Sequence, residues 1–243
     1  MSAARLAPAF YCFADDRRHA TLPAPTRALR EPDGLLAAGG SLDETTLLHA
    51  YRHGIFPWYS PGQPILWWSP DPRTVFWPAQ FHVSRSLART LRRDRFQFTI
   101  DRDFAAVIRA CGPAREGESG TWITGDMLLA YTRLHRAGHA HSVECWRGEA
   151  LVGGVYGVAI GRCFFGESMF SRATDASKAT LAVLCNWLVD WGYEMFDCQM
   201  ESAHLRSLGA VPLPRATFLA RLAALVDQPP VAHAWREPGR SAP

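Results

Sequence analysis

One run of the sequence places a carboxylate among large apolar side chains, and this limits the possible folds more than any other feature. Glu167 lies inside the run Cys163-Phe164-Phe165-Gly166-Glu167-Ser168-Met169-Phe170-Ser171. A buried charge is costly unless another group binds it. The run therefore predicts a core segment with a functional acid at an apolar site, and the alternative is a buried polar residue satisfied by an ion-pair network.

A second polar pair follows 26 residues after Ser171, at Asp197-Cys198-Gln199. If Met195 to Met200 is a strand, its side chains alternate, so Asp197 and Gln199 lie on one face and Cys198 on the other. Two acids and an amide that converge beside an apolar pocket suit a site that handles an amine or an acyl group.

Composition indicates a cytoplasmic protein without a metal or a cofactor. The 243 residues are enough for one large or two modest domains, and the formal charge of +3 does not by itself indicate a nucleic-acid binder. The six cysteines form neither a CxxC pair nor a zinc-like spacing with histidine, which indicates reduced thiols. The sequence shows no signal-peptide pattern and no apolar run of about 18 residues, so we expect a soluble protein.

Three zones divide the sequence. The first, up to about Pro78, is dense in Pro, Gly and Trp, and regular helix is expected there only from Asp43 to His53, capped by Ser41 or Asp43. The third, from about Phe96 to Ala210, predicts mixed α/β structure. We therefore predict an α+β (mixed α/β) protein with a small Trp/Pro-rich N-terminal domain at 1–80, a larger domain at 81–226 and a disordered tail at 227–243.

The second zone, His82 to Arg95, predicts a helix with a stripe of arginines. Arg85, Arg89 and Arg92 fall at helical spacing, with Arg93 beside them. Like charges on one helix face repel each other by a few tenths of a kcal/mol per pair. The stripe therefore indicates either an anionic partner such as phosphate or a solvated helix face.

The motifs of the chain resemble those of the leucyl/phenylalanyl-tRNA–protein transferases, a bacterial enzyme family. Eight segments carry the resemblance between about Leu29 and Arg215: Glu31-Pro32-Asp33-Gly34-Leu35-Leu36, Gly54-Ile55-Phe56-Pro57-Trp58, Trp67-Trp68-Ser69-Pro70-Asp71-Pro72-Arg73, Thr121-Trp122-Ile123-Thr124, Gly138-His139-Ala140-His141-Ser142-Val143-Glu144, Gly166-Glu167-Ser168-Met169-Phe170-Ser171, Asp197-Cys198-Gln199 and Ser207-Leu208-Gly209-Ala210. Eight motifs in order, at compatible spacing, make the resemblance specific.

This resemblance implies a catalytic domain similar to the acyl-CoA N-acyltransferases and a defined reaction. The enzyme would transfer Leu or Phe, and less well Met, from aminoacyl-tRNA to the N-terminal α-amine of proteins that begin with Arg or Lys. The transfer forms a peptide bond and creates a degradation signal. The implied partners are Leu-tRNA and Phe-tRNA, through the 3′ end and acceptor stem, and proteins with N-terminal Arg or Lys, with no cofactor, metal or membrane.

The same resemblance implies roles for the polar site residues. Glu167 matches the family acid that positions the aminoacyl group. Asp197, with Gln199 orienting or relaying, would hold the acceptor amine and help to remove its proton, because an attacking amine must be neutral. Two alternatives remain, namely that Asp197 only binds the amine and that the tRNA ribose hydroxyl removes the proton.

Further residues are implied in binding. Val155, Phe164, Met169 and Phe170 are candidates for the pocket of the transferred side chain, with ordinary core packing as the alternative for each. Two tryptophans and the arginine stripe match positions that bind tRNA: Trp58 and Trp122 would stack on the terminal adenosine, and Arg85, Arg89 and Arg92 would hold acceptor-stem phosphates.

Three other functions fit parts of the pattern. An acyl-CoA-dependent N-acetyltransferase needs a Gly-rich pyrophosphate loop before its long helix, but the segment Arg172 to Lys178 contains no glycine. A tRNA-binding module without activity would leave the clustered acids unexplained. Peptidoglycan-branching enzymes are usually longer and duplicated, and this chain has no internal repeat.

Two smaller features qualify the site. His139 and His141 form an HxH pair without a nearby third ligand, which disfavours a metal site. Glu201 is an additional acid close to Gln199, placed to affect the preference for basic acceptor N-termini.

Overall fold

The computed structural model describes residues 11–13, 21–93, 96–112 and 123–236. The strands in these ranges are β1 (Tyr11–Cys12), β2 (Leu35–Ala38), β3 (Phe56–Pro57), β4 (Leu66–Trp68), β5 (Arg73–Phe76), β6 (Phe96–Ile100), β7 (Ala140–Arg147), β8 (Ala150–Ile160), β9 (Cys163–Ser171), β10 (Met195–Gln199) and β11 (Val211–Leu213). The α-helices are α1 (Glu44–Arg52), α2 (Arg85–Arg93), α3 (Phe104–Cys111), α4 (Gly125–Arg136), α5 (Ala176–Asp190), α6 (Ala203–Ser207) and α7 (Arg215–Leu225).

A seven-stranded sheet with the order β11-β5-β10-β9-β8-β7-β6 forms the centre of the molecule. Its strands β9 and β10 run parallel, and its other neighbouring pairs are antiparallel. Parallel neighbours need a crossover connection, and α5 supplies it between β9 and β10. The mixed α/β architecture that the sequence predicts is therefore present.

A second, four-stranded sheet with the order β1-β2-β4-β3 carries the first zone. Its central tryptophan, Trp67, is completely buried and donates its indole N–H to the carbonyl of Gly39 at 2.9 Å. Its neighbour Trp68 is partly buried. The prolines and tryptophans of this zone thus build a small sheet around one buried indole.

Apolar side chains pack on both faces of the large sheet. One face packs against α1, α3, α4 and α7, with Phe165 in its core. The other face packs against α5, with Phe164 in its core. Neighbouring positions on a strand point to opposite faces, so these two phenylalanines divide between the two cores.

Two parts of the chain differ from the predicted domain division. Strand β5, at residues 73–76, pairs with β10 and β11 inside the large sheet, although it lies before residue 80. Within the segment predicted as a disordered tail, Trp235 stacks on His141 with ring centroids 4.3 Å apart and donates to the Tyr193 hydroxyl at 2.7 Å. Trp235 is therefore packed against the large sheet region, and the limits of the two domains stay a prediction.

Among the described residues, no helix has the length and apolar character that crossing a membrane requires.

Candidate active site

Glu167 lies at an irregularity of strand β9. Gly166 pairs with Gly157 and Ser168 pairs with Tyr156 on β8, so Glu167 is the extra residue of a β-bulge. A bulge leaves one residue outside the ladder and redirects its side chain. The acid that the sequence places in an apolar run is therefore aimed by a specific break in the sheet.

Two buried phenols hold the Glu167 carboxylate. Tyr51 of α1 donates to Oε1 at 2.7 Å, and Tyr131 of α4 donates to Oε2 at 2.8 Å. The two hydroxyls also contact each other. A third phenol, Tyr156 of β8, is buried with a hydroxyl that has no hydrogen-bond partner in the described part of the chain. Glu167 thus lies in a group of tyrosines that leaves one buried hydroxyl available.

The surroundings of Glu167 shift its ionisation toward neutral pH. Burial raises its pKa from the ordinary 4.5 to about 7, while the hydrogen bonds from Tyr51 and Tyr131 lower it. The charge of Asp197 raises this pKa further and that of Arg73 lowers it. Asp197 and Arg73 are therefore close enough for their charges to affect the ionisation of Glu167.

Asp197 of β10 forms a forked ion pair with Arg73 of β5. Arg73 donates from Nε to Oδ1 at 2.8 Å and from Nη2 to Oδ2 at 2.6 Å, and both side chains are completely buried. Nη1 of the same guanidinium donates to the Gly54 carbonyl at 3.1 Å. Both carboxylate oxygens of Asp197 are therefore occupied by a cation inside the protein.

Two aromatic rings complete the surroundings of this cation. The guanidinium carbon of Arg73 lies 4.7 Å from the ring centre of Phe56 and 4.8 Å from that of Phe218. A cation at this distance is attracted by the ring quadrupole, more strongly when it is desolvated. Arg73 thus joins the strands β3, β5 and β10 and helix α7.

Gln199 ends strand β10 in a left-handed backbone conformation. Its φ is 58°, and its backbone N–H donates to Oδ1 of Asp197 at 2.9 Å. Its side-chain nitrogen Nε2 is buried without a hydrogen-bond partner among the described residues. The register of β10 shifts between Asp197 and Gln199, so the amide leaves the strand at this point. The side chain that the sequence singled out is left with an unused donor.

Glu167 on β9 and the pair Asp197 and Gln199 on β10 lie on neighbouring strands. Asp197 pairs with Phe165 across the parallel strands β9 and β10. Glu167 and Gln199 each follow two residues later on their own strand. Because both strands run in the same direction, both residues lie on the same side of the Asp197–Phe165 pair, toward the C-terminal ends of the strands.

The four residues predicted for an apolar pocket divide between two faces. Val155 and Phe164 are buried in the core under α5, and Met169, which pairs with Val155, packs against the same core. Phe170 packs instead against the opposite core, to which Tyr51 and Tyr131 belong. Three of the four are therefore together, and Phe170 lies on the side of the Glu167 tyrosines.

The residues predicted to bind tRNA lie on the surface where the structure describes them. The side chain of Trp58 is 40% exposed, and its ring makes an edge contact with Trp68 at 5.6 Å between centroids. On α2 the predicted arginine stripe is exposed and Leu87 is buried on the opposite side. The exposed stripe consists of Arg85, Arg89 and Arg92. Trp122 lies outside the described residues.

The histidine pair has a different environment from a metal site. His141 contacts Asp101 through Nδ1 at 2.6 Å and Gly138 through Nε2 at 3.2 Å. His139 lies 3.8 Å from Glu44. Within the described ranges, no group of His, Cys, Asp and Glu side chains could hold a metal ion.

A surface cavity of about 630 Å³ lies apart from these residues. It is lined by residues that include Trp77, Arg162, Tyr193, Glu194 and Arg221. Arg162 and Glu194 immediately precede β9 and β10, whereas Glu167 lies in the middle of β9 and Gln199 ends β10.

Comparison with known proteins decides the family. The family model described as leucyl/phenylalanyl-tRNA protein transferase matches residues 75–223, and the model of its N-terminal domain matches residues 40–71. The chain belongs to this family. It is therefore an aminoacyltransferase that acts from aminoacyl-tRNA to protein.

Curated relatives of the same name are similar over most of their length. The leucyl/phenylalanyl-tRNA–protein transferase of Pseudomonas syringae pv. syringae (strain B728a) is 56% identical over 88% of this chain and 93% of the relative. That of Ectopseudomonas mendocina (strain ymp) is 60% identical over 81% and 87%. That of Methylococcus capsulatus (strain Bath) is 55% identical over 91% and 94%. The solved structure of L-PGS from Bacillus licheniformis superposes with a TM-score of 0.39 at 12% identity, over 67% of this chain and 55% of that one.

Three residues of the site, namely Arg73, Tyr51 and Tyr131, were not identified from the sequence. Arg73 lies within a recognised motif, but nothing in its neighbours indicates burial. Tyr51 and Tyr131 occupy the apolar faces of α1 and α4, where a phenol is typical of ordinary core. A tyrosine at a core position of each helix was the signal that could have identified them, because a buried hydroxyl usually needs a hydrogen-bond partner.

Proposed function

We propose that this transferase moves Leu or Phe, and less well Met, from aminoacyl-tRNA to the N-terminal α-amine of proteins that begin with Arg or Lys. The observation that carries the proposal is the tyrosine-bound Glu167 on β9, next to the strand β10 that holds the Arg73–Asp197 pair and Gln199. Glu167 with its tyrosines then binds the aminoacyl group, and Gln199 with the Arg73–Asp197 pair acts on the attacking amine. The product carries a new N-terminal residue that acts as a degradation signal, and the enzyme works in the cytoplasm.

The reaction is aminolysis of an ester. The amine nitrogen attacks the carbonyl carbon of the aminoacyl group, the C–N bond forms, and the C–O bond to the ribose breaks. The nitrogen loses one proton and the leaving ribose oxygen gains one, so the step needs no cofactor. A proton must be available to the ribose oxygen as it leaves, which is why the ribose hydroxyls remain candidates for the transfer.

Glu167 is the proposed anchor of the aminoacyl group. Its carboxylate binds the α-amino group of the transferred residue, while Tyr51 and Tyr131 fix the direction of its oxygens. The unpartnered hydroxyl of Tyr156 offers one more polar contact to the same substrate. A proton on Glu167 weakens the attraction to a cationic amine, so its pKa of about 7 makes this contact sensitive to pH near neutrality.

Gln199 is the proposed contact to the reacting groups. Its side-chain N–H has no partner in the described residues and is available to an oxygen of the substrate. Asp197 acts on the amine through Gln199, because both of its oxygens already accept hydrogen bonds from Arg73. An occupied carboxylate is a poor proton acceptor, since protonation would leave the buried guanidinium unpaired.

The basic side chain of the acceptor needs an anionic contact, for which we propose Glu201. It follows Gln199 by two residues and is exposed, whereas Asp197 is completely buried. Its Oε1 accepts from Arg206 at 2.8 Å, so a guanidinium already occupies the position. The side chain of an N-terminal Arg or Lys would replace this contact.

We propose the exposed aromatic and arginine residues for binding of the tRNA. Trp58, together with Trp122, stacks on the terminal adenosine, and the exposed arginines of α2 hold acceptor-stem phosphates. Phosphate contacts of this kind give affinity and salt dependence without reading sequence. Val155, Phe164 and Met169 select the transferred side chain from the α5 face, and Phe170 borders the Glu167 side.

The fold we propose for the large sheet is that of the acyl-CoA N-acyltransferases. The order of elements supports this fold. Helices α3 and α4 follow β6, strands β7, β8 and β9 are antiparallel, and α5 connects β9 to the parallel strand β10. The segment before α5, from Arg172 to Asp175, has no glycine, which disfavours an acyl-CoA donor. We also propose an N-terminal domain at 1–80 and a catalytic domain at 81–226, with β5 of the first segment completing the sheet of the second.

Transfer of labelled Leu from Leu-tRNA to a peptide that begins with Arg tests the proposal. We expect transfer to peptides that begin with Arg or Lys, none to a matched peptide that begins with Ala, and none from acetyl-CoA. Glu167→Gln should retain tRNA binding and lose most of the transfer. Binding of tRNA without transfer to any basic N-terminus would favour a tRNA-binding module instead.

A further inference from the structure

The contacts of Arg73 are all made within the protein. Its three guanidinium nitrogens donate to Asp197 and to the Gly54 carbonyl, and the side chain is completely buried. Each of the three nitrogens already donates within the protein, so none is left without a partner to bind the tRNA or the acceptor directly. Any effect of this residue on the reaction must pass through the groups that it holds.

We propose that Arg73 is a positioning residue of the transfer reaction, which locks Asp197 so that Asp197 in turn fixes Gln199. This inference rests on the proposed function. The forked contact prevents the carboxylate from rotating, because both oxygens are bound from one rigid planar group. Oδ1 then accepts from the backbone N–H of Gln199 and holds that residue at its left-handed φ of 58°.

The left-handed conformation makes this support necessary. A non-glycine residue with such a φ is disfavoured and persists where its surroundings determine it. Here the fixed oxygen of Asp197 provides the hydrogen bond that keeps the turn. The turn directs the amide of Gln199 away from the strand, with its Nε2 unpartnered in the described residues. The orientation of this amide therefore depends on a cation two contacts away.

Stability alone gives a poor reason for this ion pair. Replacing a buried ion pair by apolar residues of similar volume is often neutral or stabilising, while removing one partner is strongly destabilising. Two aromatic rings and the Gly54 carbonyl contact the guanidinium in addition to Asp197, which is the geometry of a fixed support. The contact to Gly54 also ties this support to the segment that leads to Trp58.

The test compares variants that keep, break and neutralise the pair. Arg73→Lys keeps a cation but loses the fork, and Arg73→Met leaves Asp197 alone. Arg73→Met combined with Asp197→Asn removes both charges, while the introduced amide can still accept a hydrogen bond. The matched control is Arg221→Met, which breaks an exposed ion pair with Glu194 at the distant cavity. For each folded protein we would measure kcat and KM with Leu-tRNA and an Arg-initiated peptide, and the thermal midpoint.

We expect kcat per folded molecule to fall about 100-fold in the Lys variant and in the double variant, since a misplacement of about 1 Å can cost this much. KM for Leu-tRNA should stay within about threefold, and the double variant should recover the thermal midpoint that Arg73→Met loses. The Arg221 control should match the wild type. A double variant that is stable and has wild-type kcat would overturn the inference, because the fork would then have served the fold alone. Absence of transfer by the wild type itself would overturn the proposed function, and this inference with it.

Discussion

The phenol of Tyr51 and the carboxylate of Glu167 are joined by a hydrogen bond of 2.7 Å although 116 residues separate them in the chain. The contact links a helix of the first zone to a bulge in the central sheet. Tyr131 makes the corresponding bond to the second oxygen. The site therefore needs segments from the early, middle and late parts of the chain at the same time.

Removing these phenols should shift the pH dependence of the reaction. Tyr51→Phe and Tyr131→Phe each remove a hydrogen bond that lowers the pKa of Glu167, so that pKa rises further and less carboxylate is present at pH 7. A hydrogen bond to a charged group contributes about 1.5–3 kcal/mol, which corresponds to a loss on the order of tenfold or more. We expect kcat/KM at pH 7 to fall and to recover in part at higher pH.

The matched control for this shift is Tyr59→Phe. Tyr59 places its hydroxyl 3.2 Å from Thr124 Oγ1, whereas the hydrogen bonds to Glu167 come from Tyr51 and Tyr131. Its pH profile should coincide with that of the wild type. An unchanged acid limb in the Tyr51 and Tyr131 variants would mean that Glu167 does not govern that limb.

The free energy of unfolding should depend on pH through the ionisation of Glu167. Burial raises the pKa of this carboxyl to about 7, above its ordinary 4.5. Between these pH values the unfolded chain has released the proton while the folded protein retains it. The free energy of unfolding therefore falls as pH rises from about 4.5 to about 7, and this contribution is constant above that range.

Glu167→Gln removes this titration. Denaturant unfolding at pH 5, 6, 7 and 8 should show the variant gaining stability relative to wild type as the pH rises, while exposed Glu149→Gln follows the wild type. Parallel curves for wild type and Glu167→Gln would contradict the raised pKa.

Trp58 should contribute to tRNA affinity and little to stability. Its ring is 40% exposed. Stacking on a base contributes about 1–3 kcal/mol, so Trp58→Ala should weaken tRNA binding by about 5- to 150-fold with little change in thermal midpoint. Trp58→Phe keeps an aromatic face, so its tRNA affinity should lie between those of Trp58→Ala and the wild type. Equal tRNA affinity of Trp58→Ala and wild type in a filter-binding assay would remove this residue from the interface.

Glu201 and Arg206 should act in opposite directions on the acceptor. Glu201→Gln removes the proposed anionic contact and should raise KM for Arg-initiated peptides by about two- to fivefold, the size expected of an exposed ion pair. Arg206→Ala frees the carboxylate and should lower that KM. Changes of the same sign in both variants, measured at saturating Leu-tRNA, would indicate that this pair only stabilises the loop.

Much of the fold could be predicted from local patterns. Helix α1 begins after Asp43, whose side chain accepts from the backbone N–H of Thr46, and it ends just before Gly54. Strand β10 begins at Met195, as the sequence predicts, and ends at Gln199, one residue before Met200. Strand β9 continues to Ser171, although Gly166 to Ser171 mix polar and apolar types around the bulge, because these residues pair with β8.

The candidate site could be predicted in part, for a physical reason. Glu167 and Asp197 stand out because an acid in an apolar run is unusual. Arg73 does not stand out, since arginine is rarely fully buried and its partner lies 124 residues further along the chain. Partners that meet through the packing of distant segments leave no periodic signal.

Strand β5 makes the first zone inseparable from the sheet that follows it. Its residues 73–76 lie between β10 and β11, in the interior of the sheet order. A fragment that starts at residue 81 would expose the edge of β10 together with an unpaired, buried Asp197, and such an edge invites association with other chains. Co-expression with a fragment of residues 1–80 could restore that strand in trans, so the enzyme lends itself to fragment complementation, with recovered aminoacyl transfer reporting the reassembly.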